Sequence, residues 1–137
     1  MSLSSDVSIR TAWPEDQAFV ADVLSDQLRR ANHKDATALT NRILDSASTR
    51  ILIATRDRRI IGWLAYAAIP RIRAVLFAYV RKDDRGQGVG RSLLNAAFPS
   101  RKGQVVYAGL TGGMSKTATN LLLHHYAALQ MNLEDLI

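Results

Sequence analysis

The sequence predicts an α/β (α+β) fold in one domain, residues 1–137, with its elements in the order β-α-α-β-β-β-α-β-α. The hydrophobic periodicity changes repeatedly between strand-like alternation and helical spacing, which predicts a mixture of both elements. A length of 137 residues suits one domain with its own core and is short for two. The composition, 47% hydrophobic and 22% charged, is typical of a packed soluble protein.

The first half of the chain predicts a strand, two helices and a hairpin. "VSIRTA" alternates as a strand, and "WPEDQAFVADVLSDQLRR" follows as a helix with Pro14 in its first turn. Glu15 and Asp16 then lie beside the positive end of this helix. A second helix is expected from the N-cap Asp35 to near Ser48. "RILIAT" and "IIGWLAYAAI" form a hairpin around "RDRR".

The second half predicts a central strand, a helix, a further strand and a last helix. "RAVLFAYV" is apolar on both faces apart from Arg73, as central strands are. A helix runs from Val89 until Pro99 ends it, and "QVVYAGL" is the next strand. The last helix, capped by Thr117 or Thr119, is expected to carry Leu121, Leu122, Tyr126 and Leu129.

Composition excludes several chemistries and leaves the partner open. The chain has no cysteine, which excludes disulfides, thiolate catalysis and cysteine–zinc sites. No signal-peptide pattern or bilayer-length apolar run is present, so we expect a cytoplasmic protein without membrane contact. The formal net charge of +6 favours polyanions, including nucleic acid, without naming one.

The stretch "RGQGVG" follows the predicted central strand and opens a helix. The first N–H groups of a helix have no intrahelical partner, so such a turn can bind phosphate. Gly86, Gly88 and Gly90 would let a ligand approach the backbone. The alternative is that these glycines only permit a tight turn. The spacing matches neither a dinucleotide fingerprint nor a P-loop.

The place of "RGQGVG" in the element order resembles the GCN5-related N-acetyltransferase (GNAT) family. That family binds the acetyl-CoA pyrophosphate with Arg/Gln-x-x-Gly-x-Gly/Ala between its fourth strand and third helix, and "RGQGVG" matches this form. The flanks "YVRKDDRGQGVGRSLLNAAF" and "IRTAWPEDQAFV" are also similar to the family. The resemblance implies a mixed, mostly antiparallel central sheet flanked by helices, here with a shortened C-terminus.

The resemblance also implies a site for acetyl-CoA as co-substrate. The pyrophosphate would be bound by the loop residues Arg85, Gly86, Gln87, Gly88, Val89, Gly90 and Arg91. The pantetheine arm and acetyl carbonyl would lie along the preceding strand, at Phe77, Ala78, Tyr79 and Val80, where the family's strands splay apart.

The catalytic residue that the resemblance implies is Tyr126, in "TNLLLHHYAALQM", which would protonate or orient the leaving thiol. The residues around it depart from the family's pattern, and Asn120 is a secondary candidate for a cofactor contact. His124 and His125 could act as acid or base, but adjacent helical residues cannot both face one site. No metal is expected, because no third ligand has suitable spacing.

The acceptor side is less well defined by the sequence. Four aromatic residues could line an acceptor pocket or belong to the core: Trp13, Trp63, Tyr66 and Tyr79. The acidic pairs at 15–16 and 83–84 are better explained as structural, so no general base stands out. The expected acceptor loops are "RANHKD", "IPRIR" and "TGGMSK".

The leading prediction is therefore an N-acetyltransferase (an acyltransferase) acting on a primary amine of a small molecule, a protein or an aminoacyl-tRNA. One alternative is a non-catalytic GNAT-like module that binds CoA or a protein partner. A second is a basic nucleic-acid-binding domain. The short C-terminus is expected to leave a sheet edge that a second copy could cover, giving a homodimer.

Overall fold

The computed structural model describes residues 6–70, 72–99, 104–108, 110, 127–130, 133 and 136–137. The helices are α1 (Gln17–Arg30), α2 (Ala36–Asp45) and α3 (Val89–Ala97), with short 3-10 helices at Pro14–Asp16 and Lys82–Asp84. The strands are β1 (Ser8–Thr11), β2 (Thr49–Arg56), β3 (Arg59–Ile69), β4 (Ile72–Val80), β5 (Gln104–Tyr107) and β6 (Ala127–Gln130).

The six strands of the described residues join one sheet in the order β1-β2-β3-β4-β5-β6. The pairings from β1 to β4 are antiparallel, whereas β5 runs parallel to β4 and β6 runs parallel to β5. The predicted mixed, mostly antiparallel sheet flanked by helices is confirmed, as is the predicted element order from β1 to β5.

The end of the chain differs from the prediction. Leu129, expected on the last helix, lies in β6, which pairs with β5 from Gln104↔Ala127 to Tyr107↔Gln130. A short apolar run such as Ala127–Gln130 fits a helix or a buried strand equally well by periodicity. Pairing with β5 decides between them, and that pairing is not local in sequence. Residues 111–126, which include the rest of the expected helix, lie outside the described part.

The helices cover both faces of the sheet. Gly62 of β3 faces α3, because a Cβ added there would lie 3.3 Å from Val89 Cγ1. On the opposite face, the Thr49 hydroxyl donates to the Ile43 carbonyl of α2 at 2.6 Å. The buried side chains form one core, and the largest of those fully buried are Trp63, Leu24, Leu28, Ile43, Ile53, Leu64, Leu76, Leu93 and Leu136.

A Schellman motif ends α1. Asn32 has φ of 66° and donates its N–H to the Arg29 carbonyl, while the His33 N–H donates to the Leu28 carbonyl. This pair of bonds, with a left-handed residue between them, is the common way for a helix to stop. Asparagine tolerates the left-handed conformation better than most residues. The backbone of His33 is therefore held to the last turn of α1.

The β2–β3 hairpin turns through the two residues Asp57 and Arg58, as "RDRR" predicts. Their φ values of 51° and 66° are those of a type I′ turn, the form that matches the twist of paired strands. The turn presents the exposed residues 57–59 at the same end of the sheet as the β4–α3 link.

A partly buried ion pair joins β1 to the start of α1. The Arg10 guanidinium donates to both carboxylate oxygens of Asp16, at 2.6 and 3.2 Å, and the Trp13 N–H donates to the same carboxylate at 2.6 Å. Arg10 also lies over the Trp13 ring, with its Cζ 3.6 Å from the ring centre. The hydrogen bond from Arg10 lowers the pKa of Asp16 below its ordinary value of 3.8, although burial opposes this shift.

Stability should therefore depend on Asp16 above about pH 4. A depressed carboxyl pKa contributes stability that is present above 3.8 and is lost as the pH falls through the folded-state value. We expect Asp16→Asn to lower the free energy of unfolding by about 2 kcal/mol at pH 7 and by much less near pH 3. Urea unfolding at both pH values measures this difference. An equal loss at both would mean that the charge of Asp16 contributes nothing.

Candidate active site

The predicted phosphate-binding loop lies where α3 begins. Gly88 is the N-cap of α3 and has φ of 82°, and Gly86 has φ of 78°. A Cβ added at either glycine would meet no protein atom within 4 Å, so glycine is favoured there by backbone conformation. The space beside this backbone is open to a ligand.

The first backbone N–H groups of α3 point out of this loop. The first intrahelical bond runs from the Ser92 N–H to the Gly88 carbonyl at 3.0 Å, so the N–H groups of residues 89–91 precede it. No side chain caps the helix at Gly88. With the positive end of the helix dipole, these N–H groups have the character that favours an anion.

Side-chain hydrogen bonds hold the loop in shape. Arg85 Nε donates to the Val80 carbonyl at 2.9 Å, and Gln87 Nε2 donates to the Asp83 carbonyl at 3.3 Å. The Ser92 hydroxyl donates to the Gly88 carbonyl at 3.0 Å. Arg85 and Gln87, both predicted as binding residues, thus stabilise the conformation of the loop through these hydrogen bonds.

An ion pair fixes the loop to the sheet. Arg56 Nη1 of β2 lies 2.9 Å from Asp84 Oδ1, and each side chain is only 14% exposed. Asp84 belongs to the short 3-10 helix before the loop, so this pair ties the loop to the hairpin end of the sheet. The prediction that Asp84 shapes this link is consistent with this contact.

Positive charge is concentrated at this end of the sheet. The β2–β3 turn and the segment from 81 to 91 carry only three acidic residues, Asp57, Asp83 and Asp84. They carry seven basic ones, namely Arg56, Arg58, Arg59, Arg81, Lys82, Arg85 and Arg91. This excess adds a favourable field for a phosphate group at the start of α3.

Next to the loop, β4 parts from β5. The β4–β5 ladder ends at Val75↔Tyr107, followed by one bond from the Ala108 N–H to the Val75 carbonyl at 3.1 Å. β4 itself continues for five more residues to Val80. Its register with β3 shifts between Ala65↔Phe77 and Tyr66↔Val75, which makes Leu76 an extra, bulged residue.

Beyond the end of its pairing with β5, β4 carries the backbone groups that, according to the family resemblance, should bind the co-substrate. Arg81 N–H donates to the Ile61 carbonyl, so by antiparallel alternation Tyr79 and Phe77 turn their N–H and C=O groups toward β3. Those of Ala78 and Val80 then face the side that β5 has left. Phe77, Ala78, Tyr79 and Val80 thus lead, along one edge, from the end of β5 to the glycine loop.

The four aromatic candidates do not lie together. Trp63 is fully buried and packs against Phe77 and Tyr79, with ring centroids 5.6 and 6.2 Å away. Tyr66 packs edge-on against Phe98 at the end of α3, on the opposite face of the sheet. Trp13 is 53% exposed beside Arg10. Only Tyr79, which is partly buried, borders the open edge of β4.

One contact near this edge could not be predicted from the sequence. His33 Nε2, in the loop between α1 and α2, lies 2.6 Å from the Leu110 carbonyl, just after β5. The two residues are 77 positions apart in sequence. The asparagine before His33, at the end of a helical pattern, is the local signal that could have marked this turn.

Four predicted site residues fall outside the described part of the chain: Asn120, His124, His125 and Tyr126. In the part that is described, no three side chains of histidine, aspartate or glutamate are grouped as a metal site would require. No helix in these same ranges has the length and apolar character needed to cross a membrane.

Comparison with solved structures finds the same fold in other proteins. A ribosomal-protein-alanine N-acetyltransferase from Brucella melitensis is 17% identical, with a TM-score of 0.53, covering 95% of this chain and 84% of its own. A GNAT family acetyltransferase from the same species, in complex with acetyl-CoA, is 19% identical, with a TM-score of 0.51, covering 69% and 68%. A GNAT-family protein from Desulfovibrio desulfuricans is 24% identical, with a TM-score of 0.48 and 66% of this chain covered.

The match to the Desulfovibrio protein spans 62% of that protein's length. A search of curated proteins found no match. The family model described as "Acetyltransferase (GNAT) domain" matches residues 47–129, which run from the start of β2 into β6 and include the glycine loop. With more than half of its length matched by this model, the chain belongs to the GNAT acetyltransferase family.

Proposed function

We propose that this protein is an acetyl-CoA-dependent N-acetyltransferase that transfers the acetyl group to a primary amine by direct attack on the thioester. The observation that carries the proposal is the continuous binding edge. Among the described residues, β4 has no strand partner on this side beyond Val75, and it leads directly to the first N–H groups of α3. One end of this edge suits an extended amide-bearing chain, and the other suits a pyrophosphate.

In this proposal, different residues of the chain bind different parts of acetyl-CoA. The N–H groups of residues 89–91 bind the pyrophosphate, and Arg91 and the basic hairpin end add charge attraction. Ala78 and Val80 offer strand-like hydrogen bonds to the pantetheine amides. Because Arg85 Nε donates to the Val80 carbonyl, that carbonyl is not available to the pantetheine arm, and the binding edge ends there.

The same edge supports the chemistry. Acetyl-CoA supplies an activated thioester when bound. As an amine attacks its carbonyl carbon, negative charge develops on the oxygen, and fixed backbone N–H groups on the edge of β4 stabilise that charge. The bulge at Leu76 turns the strand where the thioester would lie. Tyr126 remains our candidate for protonating or orienting the thiol, and Asn120 remains a candidate cofactor contact.

The experiment for this proposal measures CoA release from acetyl-CoA with three classes of acceptor. These are a polyamine, a peptide with a free N-terminal amine and an aminoacyl-tRNA. The peptide is included because a structural relative from Brucella melitensis is described as a ribosomal-protein-alanine N-acetyltransferase. We expect amine-dependent release with at least one class. Binding of acetyl-CoA without release in any of them would favour a non-catalytic CoA-binding module instead.

Tyr126→Phe separates catalysis from binding within this assay. We expect the rate of CoA release to fall by about 100-fold or more, because a proton donor is lost, with acetyl-CoA binding retained. Asn120→Ala serves as the comparison, since a cofactor contact should weaken binding before it lowers the rate. An unchanged rate for Tyr126→Phe would remove this residue from the mechanism.

We also propose that the protein is a homodimer in which a second copy adds at β6, the last strand of the sheet that the described residues form. Light scattering of the purified chain measures this directly, and a monomeric mass would contradict it. We also propose a cytoplasmic location, since acetyl-CoA is the co-substrate.

A further inference from the structure

The segment after β5 forms the far wall of the opening beside β4. Ala108 still bonds to Val75, and the chain then continues to Leu110, which is 8% exposed. Because β5 runs parallel to β4, the chain leaves β5 at the end of the ladder from which Leu76 to Val80 continue. The buried Leu110 thus follows β5 at the end of the ladder where the opening begins.

His33 reaches this wall from the helical side. Its ring nitrogen Nε2 is 2.6 Å from the Leu110 carbonyl, and the Schellman motif holds its backbone to α1. α2 covers the sheet face on which Phe77, Tyr79 and Trp63 lie, as its contact with Thr49 indicates, and α1 packs against α2. His33, in the loop between α1 and α2, is partly exposed and joins this side of the sheet to Leu110, after β5.

The contact with Leu110 decides which nitrogen of the neutral ring carries hydrogen. A carbonyl oxygen only accepts hydrogen bonds, so Nε2 must donate. The neutral imidazole then has its lone pair on Nδ1. Holding one nitrogen of a histidine as donor, so that the other is fixed as a base, is the arrangement that catalytic histidines use.

Other bases are absent from the strands around the opening. From Arg59 to Val80 and from Gln104 to Tyr107 the sequence has no aspartate, glutamate or histidine. Asp83 and Asp84 lie beyond β4, and Asp84 is paired with Arg56. The charged side chains of α1, of α2 and of the loop between them are Asp22, Asp26, Arg29, Arg30, Lys34, Asp35, Arg42 and Asp45. Asp26 pairs with Arg29 and Arg30.

We propose that His33 is the general base that deprotonates the acceptor amine, an assignment that rests on the proposed acetyltransferase function. Nδ1 takes one proton from the acceptor's ammonium group, directly or through one water. The freed lone pair forms the C–N bond, and the thioester oxygen becomes an oxyanion. Collapse restores the carbonyl and breaks the C–S bond. The second proton on nitrogen passes to the sulfur, so CoA leaves as a thiol and His33 returns its proton to water.

His33→Gln tests this role without removing the structural contact. The glutamine amide can still donate to the Leu110 carbonyl, but it has no basic nitrogen. Lys34→Gln, on the exposed neighbouring residue, is the matched control. The probes are glycinamide, whose amine is largely protonated at neutral pH, and methoxyamine, which is already uncharged. Both are small enough to need little recognition by an acceptor pocket.

We expect His33→Gln to lower kcat/KM for glycinamide by about 100-fold or more and to change kcat/KM for methoxyamine by only a few-fold. Added imidazole should partly restore the rate of His33→Ala. Lys34→Gln should behave like the wild type.

A kcat/KM within a few-fold of wild type for His33→Gln with glycinamide would overturn the assignment and leave His33 as a structural residue. Failure of the wild type to bind acetyl-CoA, or binding without acceleration of either amine, would instead contradict the proposed function itself, so the two failures are distinguishable.

Discussion

Gly90→Glu is expected to abolish the stabilisation of this protein by acetyl-CoA while leaving the unliganded fold intact. Gly90 is the second residue of α3, where its N–H faces the proposed pyrophosphate. A glutamate there places a negative charge in the path of the phosphates. The unliganded protein should gain about 1 kcal/mol, since the change removes a helical glycine and adds an acid at the helix N-terminus.

The matched control is Gly90→Ala. It gives a similar gain in helix propensity without the charge, so it should keep most of the response to acetyl-CoA. At a ligand concentration about 100 times the Kd, stabilisation is about 2.7 kcal/mol, which corresponds to roughly 10 °C in Tm for a domain of this size. A shift of that size in Gly90→Glu would contradict the location of the pyrophosphate site.

Gly62→Val is expected to cause the largest loss of stability of any single change proposed for this protein. A Cβ at Gly62 would lie 2.7 Å from the Tyr79 backbone oxygen and 3.3 Å from Val89 Cγ1. The first contact forces β3 and β4 apart, and the second pushes away the first residue of α3. We expect a loss of about 3 kcal/mol, at the upper end of overpacking costs, measured by urea unfolding.

The position of Gly62 also links the core to the site. It lets α3 approach the sheet closely enough for its N-terminus to continue the edge of β4. Gly62→Val should therefore weaken acetyl-CoA binding in the fraction that remains folded. Ala68→Val, at an exposed position of the same strand, is the control and should be nearly neutral. Equal stability of the two variants would show that β3 and α3 can separate at little cost.

Features encoded by local residues could be predicted from the sequence. Asp35 accepts a hydrogen bond from the Ala38 N–H and caps α2, and "RDRR" forms the turn of the β2–β3 hairpin. The glycine loop lies between β4 and α3 as expected, because its glycines satisfy positive φ at 86 and 88. In each case a few neighbouring residues determine the backbone.

Features that depend on distant residues could not be predicted in this way. Leu129 was expected on a helix and lies in a strand, because pairing with β5 outweighs the local pattern. The sequence leaves both a pocket and a core position open for Tyr66 and Tyr79, and the sheet register places them on opposite faces. The contact between His33 and Leu110 joins two loops, and the sequence of neither loop indicates this contact.

The central claim is that the start of α3 binds the pyrophosphate of acetyl-CoA while the edge of β4 binds its pantetheine arm. The most direct test is the Tm of the wild-type protein with acetyl-CoA and with S-acetylpantetheine, which has the arm and thioester but lacks the pyrophosphate and nucleotide. We predict a rise of roughly 10 °C with saturating acetyl-CoA and little or none with S-acetylpantetheine at the same concentration. No rise with acetyl-CoA, or an equal rise with both compounds, would contradict the claim.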